Sequence, residues 1–61
     1  MNNDIYVKGI GLVPFLPWKE ADPLLYTFIR NFEYHGNVYC LLCYGSADMG
    51  FYYYTLEDEN D

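Results

Sequence analysis

Apolar and polar positions divide the chain into four segments. In the first, DIYVKGI, the apolar residues Ile5, Val7 and Ile10 alternate around Tyr6 and Lys8. That spacing predicts a strand from Asp4 to Ile10. GLVPFLPWKEA follows, and Pro14 and Pro17 deny it regular ladder bonding. It is expected to be an extended connection whose Leu12, Phe15, Leu16 and Trp18 wrap the core.

In DPLLYTFIRNFEYHG the apolar residues Leu24, Leu25, Phe28, Ile29 and Phe32 recur at helical spacing, with Tyr26, Arg30 and Glu33 off the stripe. Asp22 suits an N-cap, Pro23 the first helical position and Gly36 a left-handed helix end. The pattern predicts a helix from Leu24 to His35. NVYCLLCYG and GFYYYTLE are rich in β-branched and aromatic residues and flank GSADMG, which predicts an antiparallel hairpin. With Tyr44 opposite Phe51, one hairpin face carries Val38, Cys40, Leu42, Tyr44, Phe51, Tyr53 and Thr55. The other carries Tyr39, Leu41, Cys43, Tyr52, Tyr54 and Leu56.

The expected fold class is therefore α+β: one small domain, β-α-β-β, with a three-stranded sheet and one helix packed on one face. Neither hairpin face is polar, and one helix covers only one. The other needs the proline-rich connection, a second copy or a partner against it.

Length and charge sharpen this picture. Sixty-one residues make one domain, 1–61, and a chain this short buries only about 60% of the surface its unfolded form exposes. Aromatic residues at 21% supply large buried areas per side chain. Nine acids against three bases give a net charge of −6. Direct binding to nucleic acid or to an anionic membrane is thereby disfavoured, and a basic protein partner is favoured. Glu57, Asp58, Glu59 and Asp61 form an acidic C-terminal tail over 57–61 and hold four of the nine acids, so the body alone is close to balanced. GIGLVPFLPW is too short and too proline-broken to span a membrane, and MNND is acidic where a signal peptide is basic. The expectation is a cytoplasmic protein with reduced cysteines.

Candidate chemistry is sparse. Cys40 and Cys43 have C-x-x-C spacing but lie inside an apolar strand, where residues three apart point to opposite faces, and His35 is the only further metal ligand on offer. They read as buried structural cysteines. His35, at the predicted helix end, suits the helix dipole, and nothing ties it to Ser46 or Thr55 as a base to a nucleophile. Glu20 and Asp22 read as helix-start capping and charge. KGIGLVPF superficially resembles the RNP1 signature of RNA-recognition motifs at Lys8, Gly9, Gly11, Val13 and Phe15. Its stacking positions hold Ile10 and Leu12, the chain is too short for the whole motif and its charge is negative, so that assignment fails. Pro14-Phe-Leu-Pro17-Trp-Lys19 fits a P-x-x-P-x-K pattern, but its large apolar residues suit inward packing better than docking.

The remaining candidate is the tyrosine-rich strand beside the acids. Tyr favours strands, and terminal acids guard edges against aggregation. Tyr also buries much area at interfaces for little lost rotamer freedom, and neighbouring acids steer toward basic surfaces. On this reading the chain is not an enzyme and uses no cofactor or metal. It is a small acidic binding protein, an inhibitor that occludes a basic, nucleic-acid-binding surface of a larger protein through Tyr39, Tyr52, Tyr54, Glu57, Asp58, Glu59 and Asp61. Small acidic chains of this kind are often phage-borne anti-defence proteins, such as anti-CRISPR or anti-restriction proteins. The alternatives are a homo-oligomeric structural module, as a homodimer, or a small Cys-based metal or redox protein.

Overall fold

A computed structural model describes residues 3–45 and 50–56. Five strands and one 3-10 turn make up its regular structure: β1 Ile5–Val7, β2 Gly11–Val13, the turn Trp18–Glu20, β3 Tyr26–Tyr34, β4 Asn37–Tyr44 and β5 Tyr52–Leu56. β1 and β2 form one antiparallel sheet; β3, β4 and β5 form a second in that order.

The expected strand over 4–10 is shortened into half of a hairpin. Gly9 takes φ +86 and the Ile10 amide donates to the Val7 carbonyl at 2.9 Å, which closes a tight turn. β1 and β2 then pair through Ile5↔Val13, Tyr6↔Leu12 and Val7↔Gly11. Alternation is clean: Ile5, Val7 and Val13 are buried, while Tyr6 and Leu12 are exposed.

The α+β expectation is overturned at Leu24–His35, where no helix forms. Asp22 and Pro23 open a single turn: the Leu24 amide donates to Asp22 Oδ1 at 2.9 Å, and the Leu25 and Tyr26 amides donate to the Asp22 carbonyl. β3 follows at once. Its Tyr26, Thr27, Phe28, Ile29, Phe32 and Tyr34 are β-branched or aromatic and favour extended backbone. His35 and Gly36 take φ 50 and 85 between the paired residues Tyr34 and Asn37. Two positive φ values in a two-residue loop match the twist of a β-hairpin, so Gly36 serves a hairpin and not a helix end.

The apparent helical period has a β-sheet cause. The β3–β4 register shifts between Phe28 and Arg30, leaving Ile29 as an extra residue in β3. This bulge shifts the alternation by one residue: Tyr26 and Phe28 face outward before it, while Ile29 and Phe32 pack on the core at and after it, which places apolar residues at spacings of one, three and four.

β4 and β5 pair through Leu41↔Tyr54 and Leu42↔Tyr53, and the Tyr44 amide donates to the Phe51 carbonyl at 2.8 Å. Tyr44 thus lies opposite Phe51. The inner face of this sheet, with Leu41 and Tyr54 at its centre, packs on Ile5, Val7 and Val13, and Ile29, Phe32, Tyr39 and Tyr52 pack around that cluster. The result is a two-stranded layer on a three-stranded layer.

The proline connection binds the layers at one edge. Tyr54 donates its amide to the Pro14 carbonyl and accepts the Leu16 amide, so Phe15 forms a parallel bridge to Tyr54. Both prolines sit where no ladder donor is required. Of the residues expected to wrap the core, Leu16 is buried, Phe15 is at the margin of exposure, and Leu12 and Trp18 are exposed. Phe15 meets Tyr54 on the inner face, so alternation sends Leu16 to the outer face beside Thr55.

Two substitutions test this packing by urea unfolding. Leu41→Ala removes a fully buried side chain and should cost about 2–5 kcal/mol. Thr55 is fully buried, and its hydroxyl has no hydrogen-bond partner among the described residues. Thr55→Val keeps the shape and should stabilise by roughly 1 kcal/mol. A destabilising Thr55→Val would show that the hydroxyl is satisfied after all.

Candidate protein-binding face

The tyrosines singled out in the sequence lie on the inner face. Tyr54 is 4% exposed, and its hydroxyl donates to the Asn3 carbonyl. Its ring meets Tyr39 at 5.1 Å, Phe15 at 5.4 Å and Phe32 at 6.2 Å between centroids, all near the edge-to-face arrangement that aromatic quadrupoles prefer. Tyr54 is therefore a core residue. Tyr39 and Tyr52 are half-buried and pack against the core cluster. The cover over this face is the β1–β2 hairpin, whose second strand, Gly11–Val13, was expected to belong to the extended connection. Glu57, Asp58, Glu59 and Asp61 lie outside the described residues.

The outer face carries a second aromatic set. Cross-strand pairing makes one row from Tyr26, Tyr44 and Phe51, and a second from Phe28, Leu42 and Tyr53. Tyr26 joins the rows: its ring lies 5.4 Å from Tyr44 and 5.6 Å from Tyr53, both edge-on. Leu42 is buried beneath them, while Phe28, Tyr44 and Phe51 are 55%, 40% and 58% exposed. Leu25, 47% exposed, adjoins one end, because the Gly45 amide donates to its carbonyl. Three large exposed side chains on a half-covered sheet face form the contiguous apolar surface that marks contact sites.

Electrostatics differ between the two sets. Burial pushes the Tyr54 hydroxyl above its ordinary value near 10, helped by Tyr39, Asp4 and Tyr34. Burial also raises Tyr26, followed by the nearby Tyr53 and Tyr44 phenols and Glu20. Both groups stay neutral, and so compatible with an apolar setting, at any physiological pH.

The other candidates take structural places. Cys43 is fully buried on the inner face, and Cys40 is half-buried on the outer, where it accepts from Asn31 Nδ2 at 3.4 Å. Strand alternation thus divides the C-x-x-C pair between the two faces of the sheet. His35 lies in the β3–β4 turn and stacks on Tyr34 at 4.1 Å with the rings 5° apart. Asp22 caps a turn, and Glu20 ends the 3-10 turn. No cluster of His, Cys, Asp or Glu among the described residues could hold a metal ion. No helix among them is long and apolar enough to cross a membrane. Tyr26 and Phe28 are not legible as sheet-surface residues in the sequence because both fall inside the expected helix, Phe28 on its apolar stripe and Tyr26 off it. Their signal was the hairpin's second apolar face.

Protein-family models, curated proteins and solved structures were each compared with the chain, and none matches.

The Tyr54 environment predicts an alkaline weakness. Unfolded Tyr loses its proton near pH 10, whereas folded Tyr54 holds it to higher pH. The unfolded state therefore binds fewer protons in that window, and stability falls as pH rises from about 10 through the folded value. Tyr54→Phe should cost roughly 0.5–1.5 kcal/mol at neutral pH, through loss of the bond to Asn3. It should also flatten the alkaline decline, leaving the share due to Tyr26. Urea unfolding at pH 7, 9, 10 and 11 measures both, and an unchanged slope would place Tyr54 outside the core.

Proposed function

We propose that this chain is a small acidic binding protein without enzymatic activity, and that it inhibits a larger protein by occluding a basic, nucleic-acid-binding surface. The observation that carries the reading is the outer aromatic face: Phe28, Tyr44 and Phe51 stand exposed over a buried Leu42 in a chain of net charge −6. Aromatic side chains supply contact area, and the charge selects a basic partner and speeds encounter with it. Phosphate-binding Lys and Arg on the target would then meet this protein's carboxylates in place of nucleic acid. Tyr39, Tyr52 and Tyr54 lie on the opposite, inner face and support that surface only by holding the sheet on its core. Small size and strong acidity fit the phage-type anti-defence class, which includes anti-CRISPR and anti-restriction proteins. The same outer face offers a second copy of the chain a surface for a homodimer.

The test uses a target recovered from the lysate fraction that heparin retains, followed by competition with duplex DNA for that target. Inhibition requires that the chain and DNA exclude one another and that affinity fall as salt rises. Phe28→Ser and Tyr44→Ser should weaken capture at least tenfold while leaving stability within about 0.5 kcal/mol, as surface substitutions do. Deleting Glu57 to Asp61 should slow association several-fold at low salt with little change in dissociation. A tight, salt-insensitive dimer that captures no basic protein would contradict the reading and leave the homo-oligomeric module in its place.

A further inference from the structure

Beside Tyr54 the two layers leave a cleft of about 410 Å³ whose walls include Asp4, Phe15, Tyr34, Tyr39, Tyr54 and Leu56. Four of these six are aromatic, and one is a carboxylate. Their rings do not lie flat on each other: Tyr39 and Tyr54 are inclined at 78°, and Phe15 and Tyr54 at 62°. A group entering such a cleft meets ring faces and ring edges from different directions. His35 backs Tyr34 in a parallel stack and fixes the plane of that wall. Among the described residues, none of Lys8, Lys19 and Arg30 lines the cleft beside Asp4.

We propose that this cleft receives an arginine side chain. The source of that arginine, a basic partner protein, rests on the function proposed above; the cleft's chemistry does not. A guanidinium is planar and weakly hydrated, stacks on aromatic faces, and presents several N–H donors at once. Asp4 supplies a carboxylate for those donors, and the phenol oxygens of Tyr34 and Tyr39 supply further acceptors. An ammonium is compact, strongly hydrated and unable to stack, so lysine fits this wall set less well. Burial first, and then the nearby oxygens of Tyr39, Asp4 and Tyr34, raise the Tyr54 hydroxyl above its ordinary value. The volume exceeds the roughly 30 Å³ share of one water many times over, which leaves room for the head group and part of its stem.

The experiment titrates the intact chain with N-acetyl-arginine amide and follows backbone amide resonances. Matched lysine and citrulline derivatives serve as controls, since citrulline keeps the shape of arginine and loses the charge. Arginine should produce saturable shifts at Asp4, Tyr34 and Tyr39 in roughly the millimolar range expected of a single side chain. Lysine should bind more weakly, and citrulline should leave those resonances unmoved. Asp4→Asn and Tyr34→Leu should each weaken arginine about fivefold, the size of one partly exposed charge or cation–π contact. Unmoved resonances of Val13 and Leu41 verify that each variant keeps its core. Absence of arginine-dependent shifts at these residues overturns the proposal, as does an equal response to citrulline, an equal response to lysine, or indifference to both substitutions. Because the probe needs no protein partner, arginine binding without capture of any basic protein sinks the proposed function and leaves the cleft assignment standing. Capture with no arginine shifts does the reverse.

Discussion

The contact between Val13 and the Leu41–Tyr54 pair organises the molecule. A two-stranded hairpin alone is marginal in water, and a three-stranded sheet with two apolar faces would associate with others of its kind. Packing Ile5, Val7 and Val13 onto Leu41 and Tyr54 buries one face of each layer at once. The Pro14–Leu16 segment fixes the relative position of the layers, because both backbone groups of Tyr54 bond to it. Tyr54 consequently carries two roles. Its backbone ties the connection to the sheet edge, and its ring closes the core against Phe15, Phe32 and Tyr39.

This arrangement explains which parts of the fold were legible in the sequence. The second hairpin was readable, with Tyr44 opposite Phe51, because two aromatic and β-branched runs flank a polar loop. The stretch from Leu24 to His35 misled for a specific reason. Asp-Pro at its start and Gly at its end are shared signals of helices and turns, and the bulge at Ile29 shifts the strand alternation by one residue, so apolar side chains no longer follow a two-residue period. Propensity held the better information there, since Thr27, Ile29 and four aromatic residues outweigh Leu24 and Leu25. Gly9 was the other misread signal. Its positive φ cuts a seven-residue strand into half of a hairpin and so creates the missing cover for the inner face.

The candidate site was half legible for the same reason. Two apolar faces on the hairpin were plain in the pattern, and so was the need for a cover. Which face receives the cover depends on the extra hairpin, and it is the face of Tyr39, Tyr52 and Tyr54. The exposed aromatic surface is therefore that of Phe28, Tyr44 and Phe51, on the other side of the sheet. Charge asymmetry was readable from composition, because it depends on counting and not on geometry. The aromatic cleft beside Asp4 was not readable, since it joins residues from the N-terminus, the proline connection and four strands.

The central claim is that a hairpin layer covers an all-β sheet through Val13, Leu41 and Tyr54. Proton–proton distances from a NOESY spectrum of the intact chain test it most directly. The account predicts cross-strand contacts for Phe32 with Tyr39 and for Leu41 with Tyr54, together with methyl contacts from Val13 to Leu41. Sequential contacts of i to i+3 type running from Leu24 to His35, with Val13 remote from Leu41, would contradict it.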